Sequence, residues 1–363
     1  MLHNWLIPEK HFAEKKGNKL NAQVKFYSKK TPDLNGVKTA LIGLDNTSDL
    51  IRKHLYSYSG FPDNSDRAIA DLGNIRKRNQ EFIIPLINEL LQGGILPVLL
   101  SEDAELLTAQ FNSYKILKQK VNLTVIDEKV RLSLNGSNRE YINTILEEQE
   151  VDQLLQLSVI GAQGHLTDND VLTYFDMKHF DVIRLGNVRS SIEENEPIIR
   201  DADMVAIHLS ALKNIEAPAQ FSGSPSGLFV EEACRLSRYA GMSDKLSSIG
   251  FYGYDLKKDV GQQTAQVIAQ MIWYFWDGFL SRKFDYPVSV DGLVEYIVDS
   301  KIHNYHLVFW QSSKSGRWWM QIPMQFKSEV QKHALVPCSY KDYQLACQGD
   351  LPERLINAFQ RML

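Results

Sequence analysis

The amino-acid sequence predicts a three-layer α/β/α domain with a mostly parallel sheet, followed by a C-terminal extension made of a hairpin and a helix. Two observations lead to this prediction. Short apolar runs alternate with stretches of helical periodicity along residues 1–285, which is the pattern of a parallel sheet covered by helices on both faces. After about Asp285 the pattern changes to two aromatic runs that flank a turn-like segment.

The candidate strands are short runs rich in β-branched residues. Nearly all of their residues are apolar, as expected of strands that are buried on both faces. The runs are 39–44, 95–100, 122–127, 157–163, 181–186, 204–210 and 246–252. Ligands of parallel sheets bind at the carboxyl ends of the strands. The candidate functional residues are therefore those at and just after the end of each run.

Helical periodicity marks the segments between these runs. Apolar side chains recur at three- and four-residue intervals in residues 79–91, and residues 264–279 carry a similar stripe of Ile, Met and Trp. This is the pattern of helices that pack one face on a sheet. The stretch 267–280 is the most apolar, but it is too short to span a bilayer. We expect a buried helix there and no membrane span.

Residues 286–363 are predicted to form the extension. Tyr286 and Pro287 end the preceding helix, and the runs 307–311 and 317–322 flank the turn-like residues 312–316, as in a hairpin. Since no long Gly/Ser linker separates the extension from the core at 1–285, we expect the two to pack together.

The tryptophans of this hairpin are candidate contact residues. Neighbouring residues of a strand point to opposite faces, so Trp318 and Trp319 cannot both enter the same core. We expect one of them on an outer face or covered by another subunit; the alternative is that the tail helix covers it within the chain. Because aromatic residues beside an arginine are enriched at interfaces, the predicted contact residues are Trp310, Arg317, Trp318 and Trp319.

Composition limits the class of protein. Forty basic against forty-four acidic residues give a formal charge of −4, which supplies no broad positive surface for nucleic acid. The three cysteines show no CxxC spacing, which favours reduced thiols in a cytoplasmic protein. The N-terminal residues lack the uninterrupted apolar segment of a secretory signal, so we expect them to stay on the mature chain.

Several ordered stretches carry a resemblance to a known family. They are IRKHLYSYSG, AIADLGNI, DADMVAIHLSAL, SPSGLFVEEACRLSRYAGMSDKLSSIGFY and TAQVIAQMIWYFWDG. Over residues 1–285 the chain resembles the ureohydrolases (arginase, agmatinase and formimidoylglutamase), most of all the formimidoylglutamase branch. The resemblance implies an arginase-like fold and, in an active member, two manganese ions that serve the hydrolysis of a guanidino or amidino compound.

The resemblance also aligns the family's metal-binding motifs with strand ends. At the Gly-Gly-Asp-His motif the aspartate matches Asp103, while the metal-binding histidine is replaced by Ala104. At the Asp-Ala-His-x-Asp motif the bridging aspartate is kept as Asp127. The histidine and aspartate that follow it have become Lys129 and Arg131.

The third motif, Ser-x-Asp-x-Asp, has lost both of its ligands. The two aspartates are replaced by His208 and Ser210, so that of six ligands implied by the resemblance only Asp127 remains. Glu232 matches the carboxylate that receives the cationic group of the family's substrates. Two interpretations of Glu232 stay open: recognition of a cationic group, or a favourable position at a helix start.

These replacements reverse the charge of the predicted site. The family's ligands place a charge of about −4 around the ions, whereas the residues here would carry about +1. A single lysine about 4 Å from a divalent ion opposes it by on the order of 8 kcal/mol, so we expect no metal cofactor. Since positions 127, 129 and 131 alternate along a strand end, Lys129 and Arg131 are predicted to neutralise Asp103, Asp127 and Glu232.

Catalysis by His208 and Ser210 is not expected. Side chains two residues apart on a strand lie about 6 to 7 Å apart, and a serine nucleophile needs its base within hydrogen-bond reach. The predicted function is therefore that of a metal-free pseudoenzyme that acts as a protein scaffold or as a sensor of a small ligand. The alternative is an active hydrolase of formimidoylglutamate or a related compound. The resemblance points to a protein partner in bacterial secretion or gliding machinery; self-association remains open.

Overall fold

The computed structural model describes residues 2–9, 12, 17–30, 32–62, 68–136, 140–148, 153–287, 289–299, 306–322 and 335–360. Within them the chain forms a ten-stranded sheet and a four-stranded sheet. None of the described helices combines the length and apolarity that a membrane span requires.

The large sheet is parallel throughout, except that its first strand pairs antiparallel with the fourth. The strand order is β1-β4-β3-β5-β10-β9-β6-β7-β8, and β2 pairs with β4. The strands are β1 (Leu6–Ile7), β2 (Val24–Phe26), β3 (Thr39–Gly43), β4 (Ile69–Ile75), β5 (Leu96–Ser101), β6 (Val121–Ile126), β7 (Leu154–Ala162), β8 (Asp181–Arg184), β9 (Met204–His208) and β10 (Ser248–Tyr252). β9 and β10, the last two strands of this sheet in the sequence, thus lie between β5 and β6.

Helices cover both faces of this sheet. They are α1 (Ser48–Leu55), α2 (Gln80–Gln92), α3 (Leu107–Ile116), α4 (Tyr141–Glu148), α5 (Asn169–Met177), α6 (Leu185–Ser190), α7 (Glu196–Arg200), α8 (Val230–Met242) and α9 (Gln263–Leu280). One apolar core contains α1, α8 and α9, and a second core contains α2 to α5. The predicted three-layer architecture with a mostly parallel sheet is confirmed.

The predicted strands are present as β3 and β5 to β10, with shifted ends. The run 181–186 ends early because α6 begins at Leu185, and the run 204–210 ends at His208, where a short 3-10 turn follows. The sequence did not predict β4, because Asp71 and Asn74 interrupt its apolar pattern. In the structure Asp71 is buried and accepts hydrogen bonds from the buried Arg52 (Nε to Oδ2, 2.8 Å).

The extension is an antiparallel sheet with two helices. Its elements are β11 (Leu293–Asp299), β12 (His306–Ser312), β13 (Trp318–Gln321), β14 (Leu335–Cys338), α10 (Tyr340–Gln348) and α11 (Glu353–Gln360). The predicted hairpin is the β12–β13 pair, and β11 and β14 extend it to four strands. Arg200 of α7 links core and extension, because its Nη2 donates to the carbonyls of Trp318 (3.1 Å) and Cys338 (3.0 Å).

The candidate contact residues of the extension are buried within the chain. Trp318 packs beside the rings of Tyr296 and Tyr343 on the face that carries α10 and α11. Trp319 points the other way and lies beneath the guanidinium of Arg200, 4.5 Å from the ring centroid. The expectation that one of these two rings lies on an outer face is wrong, because Trp318 is 7% and Trp319 0% exposed within the chain itself.

The other two candidates follow the same pattern. Trp310 is buried and donates from Nε1 to Gln321 (3.1 Å). The Arg317 guanidinium, almost entirely buried, forms an ion pair with Glu196 of α7 (Nε to Oε1, 3.2 Å). These side chains therefore stabilise the extension and do not form part of its outer surface.

Candidate functional site

The candidate site lies at the carboxyl edge of the large sheet, where β6 and β9 run side by side. The two strands pair in parallel up to Ile126 and Ile207. Asp127 follows β6 directly, and His208 is the last residue of β9. Because parallel neighbours end at the same edge, these side chains meet there.

Asp127 is the centre of the site, and its carboxylate is fully buried. Oδ2 accepts from Arg131 Nε (2.7 Å) and from the Tyr141 hydroxyl (3.0 Å). Oδ1 accepts from the Ser210 hydroxyl (2.6 Å) and from the backbone amide of Glu128 (2.7 Å). Both carboxylate oxygens are thus engaged by donors of the chain itself.

Arg131 supplies the positive charge beside this carboxylate. Its side chain is only 13% exposed, and besides Asp127 its Nη2 donates to Ser210 Oγ (3.0 Å). The same nitrogen lies 3.4 Å from His208 Nδ1. The Arg131 guanidinium therefore contacts Asp127, His208 and Ser210. Of the other residues that the resemblance aligns with the ligands of the second and third motifs, it leaves out Lys129.

The prediction that His208 and Ser210 lie too far apart to touch is wrong. Since β9 ends at His208, the turn Leu209–Ala211 brings Ser210 back towards the ring. Its backbone amide donates to His208 Nδ1 (3.1 Å), and its Oγ lies 2.7 Å from the same nitrogen. The serine hydroxyl nevertheless donates to Asp127 and is fully buried, so the pair is not arranged as a nucleophile with a free base.

Electrostatics keep the carboxylate charged and the imidazole neutral. Burial alone would raise the pKa of Asp127, but His208 and the charged, hydrogen-bonded Arg131 outweigh it and lower the pKa to about 2. Burial lowers the pKa of His208 to about 4, and Asp127 opposes this only in part. At neutral pH the imidazole is therefore uncharged, and Arg131 is the cation that neutralises Asp127.

Three predicted members of the cluster lie elsewhere. Lys129 pairs with Glu140 (Nζ to Oε1, 2.9 Å) and not with Asp127, because β6 ends at Ile126 and strand alternation does not continue to position 129. Asp103 accepts from the Glu105 amide and pairs with Arg78.

Glu232 serves the start of α8. Its Oε2 accepts from the backbone amide of Phe229 (2.8 Å) and lies 3.7 Å from Arg189 Nε. This is the helix-start position that was one of the two interpretations left open. The proposed neutralisation of Asp103 and Glu232 by Lys129 and Arg131 is therefore wrong, whereas Arg131 does contact Asp127.

Sequence reasoning missed Tyr141 and Glu140 as members of the site. They lie at the start of α4, and Glu140 also approaches Arg131 (Oε2 to Nη1, 3.8 Å). The sequence does not mark them as candidate functional residues, since neither follows a strand. The packing of the start of α4 against the end of β6 brings them to the carboxylate.

The residues present do not fit a two-manganese centre. Manganese depends on carboxylate and imidazole donors, but Asp127, the one carboxylate kept among the six aligned ligand positions, is engaged on both oxygens and a permanent cation lies 2.7 Å from it. In the part of the chain that the structure describes, no group of three or more His, Cys, Asp or Glu side chains is arranged to hold a metal ion.

Comparison with known proteins identifies the fold. Neither family models nor curated proteins give a match. Among solved structures, formimidoylglutamase from Bacillus subtilis has a TM-score of 0.62 at 17% identity, covering 76% of this chain and 97% of that one. Formiminoglutamase from Trypanosoma cruzi with manganese gives 0.62 at 14% identity, covering 69% and 96%. Agmatine ureohydrolase of Thermoplasma volcanium gives 0.57 at 14%, covering 74% and 96%.

These solved structures show that the chain has the ureohydrolase fold. It is similar to formimidoylglutamase structures among others, as the sequence stretches had predicted. The identities are low enough that this similarity concerns the fold alone.

His208 gives the site a testable pH dependence. Its folded pKa of about 4 lies below the unfolded value of about 6.5. The unfolded chain therefore takes up the proton first, so the stability contribution is complete above pH 6.5 and is lost as the pH falls to 4. The loss expected for the wild-type chain is about 3 kcal/mol.

His208→Asn should remove this part of the pH slope, because the amide oxygen can still accept from the Ser210 amide but does not titrate. Urea denaturation between pH 4 and 7 measures the difference, with His165→Asn as the control for loss of an exposed imidazole. Parallel slopes for His208→Asn and the wild type would show that the buried ring is not neutral in the folded chain.

Proposed function

We propose that this chain is a ureohydrolase-fold protein that has lost manganese-dependent hydrolysis and acts by binding. The observation that carries the proposal is the position of Arg131, whose guanidinium donates to Asp127 and Ser210 at the strand ends where the family binds its metals. A permanent cation in contact with the remaining carboxylate opposes the entry of a divalent ion.

Hydrolysis of a C–N bond in an amidine also needs an activated water. His208 Nδ1 accepts from the Ser210 amide, so the proton of the neutral ring is on Nε2 and no ring nitrogen offers a free lone pair. The oxygens of Asp127 are engaged as well. Among the residues that align with the metal ligands these contacts leave no evident base, which favours binding over the alternative, an active hydrolase of formimidoylglutamate or another guanidino or amidino compound.

Manganese content and turnover test this proposal. The purified chain, dialysed against manganese chloride, is expected to retain no stoichiometric manganese and to show no hydrolysis of formimidoylglutamate, agmatine or arginine. Its melting temperature should not rise with added manganese, since only a ligand of the folded state stabilises it. Formiminoglutamase from Trypanosoma cruzi, solved with manganese, is the matched positive control.

Turnover that depends on manganese, at a level that survives repurification, would support the hydrolase and exclude our proposal. Manganese bound without turnover would place the loss of function in the chemistry and not in metal binding. Neither result depends on knowing a partner.

The location and the partner remain predictions within this proposal. The thiols of Cys234 and Cys338 are buried, and burial raises the pKa of both, which agrees with reduced cysteines in a cytoplasmic protein. A protein partner in secretion or gliding machinery is kept as a hypothesis; self-association is its simplest competitor.

A further inference from the structure

A row of polar side chains crosses the amino half of β6, β7 and β8. Its members occupy neighbouring positions of the three paired strands: Asn122, Thr124, Gln156, Ser158 and Asp181. Further along β6 and β7, on the same face, Ile126 and Ile160 belong to the apolar core. Strands of a parallel sheet are covered on both faces and are normally apolar, so these polar side chains need partners other than the core.

The row lines a recess between the core and the extension. Pro337 of β14 and Asn357 of α11 close it from the side of the extension. The space for the centres of water-sized groups is about 40 Å³, which is room for about three such groups. We name this site the polar recess, with the residues Asn122, Thr124, Gln156, Ser158, Asp181 and Asn357.

The polar recess adjoins a wider groove along the outer edge of β8. Asp181, Ile198 and Asn357 line both of them. The groove has a volume of about 590 Å³, and apolar side chains such as Leu172 line it together with side chains of both charges. Grooves of this volume hold small ligands. A ligand can therefore place a compact polar group in the recess and an aliphatic stem in the groove.

Three amide side chains of the recess turn their nitrogens towards carboxylates of the chain. Gln156 Nε2 donates to Asp181 Oδ2 (2.7 Å), and Asn357 Nδ2 donates to Asp181 Oδ1 (3.4 Å). Asn122 Nδ2 donates to Asp201 Oδ2 (2.9 Å). Because an ionised carboxylate only accepts, these contacts determine which end of each amide is the nitrogen. The three amide oxygens are the ends that remain.

In the part of the chain that the structure describes, none of these three oxygens accepts a hydrogen bond. Gln156 Oε1 is the clearest case, because it is shielded from water and Gln156 is only 8% exposed. The hydroxyl of the buried Thr124 has no partner in the same residues, whereas that of Ser158 donates to Asp181 (3.1 Å). A buried acceptor without a donor costs free energy. The polar recess is therefore completed by a group that donates hydrogen bonds.

The charged groups of the recess do not supply such a donor. Its lining contains two carboxylates and one cation, which are Asp181, Asp201 and Arg354. Arg354 is itself paired with Glu194 (3.6 Å) and Asp342 (3.4 Å). Asp201 is paired with Lys245 (3.1 Å) as well as with Asn122. The donors of the chain are thus engaged with its own carboxylates, while amide oxygens are left over.

We propose that the polar recess binds the ammonium group of a small primary amine, whose aliphatic stem lies in the groove. An ammonium brings three donors and no acceptor, which matches three amide oxygens. A carboxylate or phosphate ligand would meet further acceptors. The inference goes beyond the proposed function, because the recess lies at the other end of β6 from Asp127 and does not depend on the state of the metal site.

The melting temperature of the full chain tests the proposal, with hexylammonium chloride as the probe. It should rise with the concentration of the probe and then saturate, since a ligand of the folded state stabilises that state. Hexan-1-ol and sodium hexanoate keep the stem but replace the ammonium, and neither should raise it. Potassium chloride and calcium chloride should have no effect either, because an inorganic cation leaves the groove empty.

Thr124→Val should weaken hexylammonium binding about tenfold or more, because it removes an acceptor of a charged donor and keeps the shape of the side chain. Thr39→Val is the matched control. Thr39 is also fully buried in the large sheet, on β3, and its hydroxyl has no partner among the described residues. Its substitution lies outside the recess and should leave the affinity unchanged.

Asn357→Ala tests the side of the recess that the extension provides. Asn357 is only partly buried on α11, so the variant should fold, and it should also weaken the binding about tenfold. Ile356→Ala truncates the neighbouring side chain, which is 40% exposed, and should bind like the wild type. Circular dichroism checks that every variant is folded.

Four outcomes would overturn the proposal. If no probe raises the melting temperature, the recess holds only water, and if hexan-1-ol acts as well as hexylammonium, the groove binds the stem alone. Stabilisation by potassium or calcium without stabilisation by the amine would assign the recess to an inorganic cation. Wild-type affinity of both Thr124→Val and Asn357→Ala would place the amine elsewhere. Since no manganese or turnover is measured, each of these failures is distinct from failure of the proposed function.

Discussion

Replacing Arg131 by methionine is expected to lower the free energy of unfolding by about 3 to 5 kcal/mol. The substitution keeps much of the aliphatic volume but leaves the fully buried Asp127 carboxylate without its cation. The donors that remain, Ser210 and Tyr141, are neutral. Urea denaturation at pH 7, followed by circular dichroism, measures the change.

Lys129→Met is the matched control on the same loop. Its ion pair with Glu140 is partly exposed on both sides, and such pairs contribute at most about 1 kcal/mol. The double variant Arg131→Met, Asp127→Asn should recover much of the lost stability, because it removes the buried charge together with its partner. Equal, small effects of Arg131→Met and Lys129→Met would refute the idea that the guanidinium neutralises the site.

The strands were predictable because burial on both faces leaves a direct record in the sequence. The run 95–100 is apolar throughout and others such as 204–207 are as well, and the ends of these runs mark where ligands of a parallel sheet lie. Among the strands that were not predicted, β4 shows the limit of that signal. Asp71 is tolerated inside it only because Arg52 of α1 is buried beside it, and a pairing across helix and strand is not visible in local pattern.

The site was predictable in its residues but not in its contacts. Strand ends identified Asp127, Arg131, His208 and Ser210, but the side-chain partners depend on how the chain turns after each strand. The turn after β9 shortens the distance between His208 and Ser210 to hydrogen-bond length. Extrapolating strand geometry past the last paired residue was the physical error, and it also misplaced Lys129.

The tryptophans of the extension illustrate a different limit. Alternation along β13 correctly placed Trp318 and Trp319 on opposite faces, but it cannot say how many faces are covered. The cover for Trp319 comes from Arg200, more than a hundred residues earlier in the chain. Because Arg200 is charged, its packing over an aromatic ring cannot be recognised from the pattern of apolar residues in the sequence.

Trp319→Ala is expected to destabilise the chain by about 3 to 5 kcal/mol. The ring is fully buried, so its removal leaves a cavity between core and extension. The guanidinium above it also loses its aromatic contact while staying out of water. Burial already lowers the pKa of Arg200 in spite of the nearby Glu196, which indicates that this cation is incompletely compensated and depends on the remaining contacts.

Phe284→Ala separates this effect from the loss of an aromatic residue as such, because Phe284 is 77% exposed near the same junction. Its free energy of unfolding should stay within about 0.5 kcal/mol of the wild-type value. Differential scanning calorimetry and sedimentation, run on all three proteins, measure stability and association together. If the ring supports the junction between core and extension, its removal lowers the melting temperature without changing the oligomeric state. If the ring forms an interface, its removal changes the oligomeric state and leaves the melting temperature nearly unchanged. Unchanged melting with altered association for Trp319→Ala would therefore return the extension to the role of a contact surface.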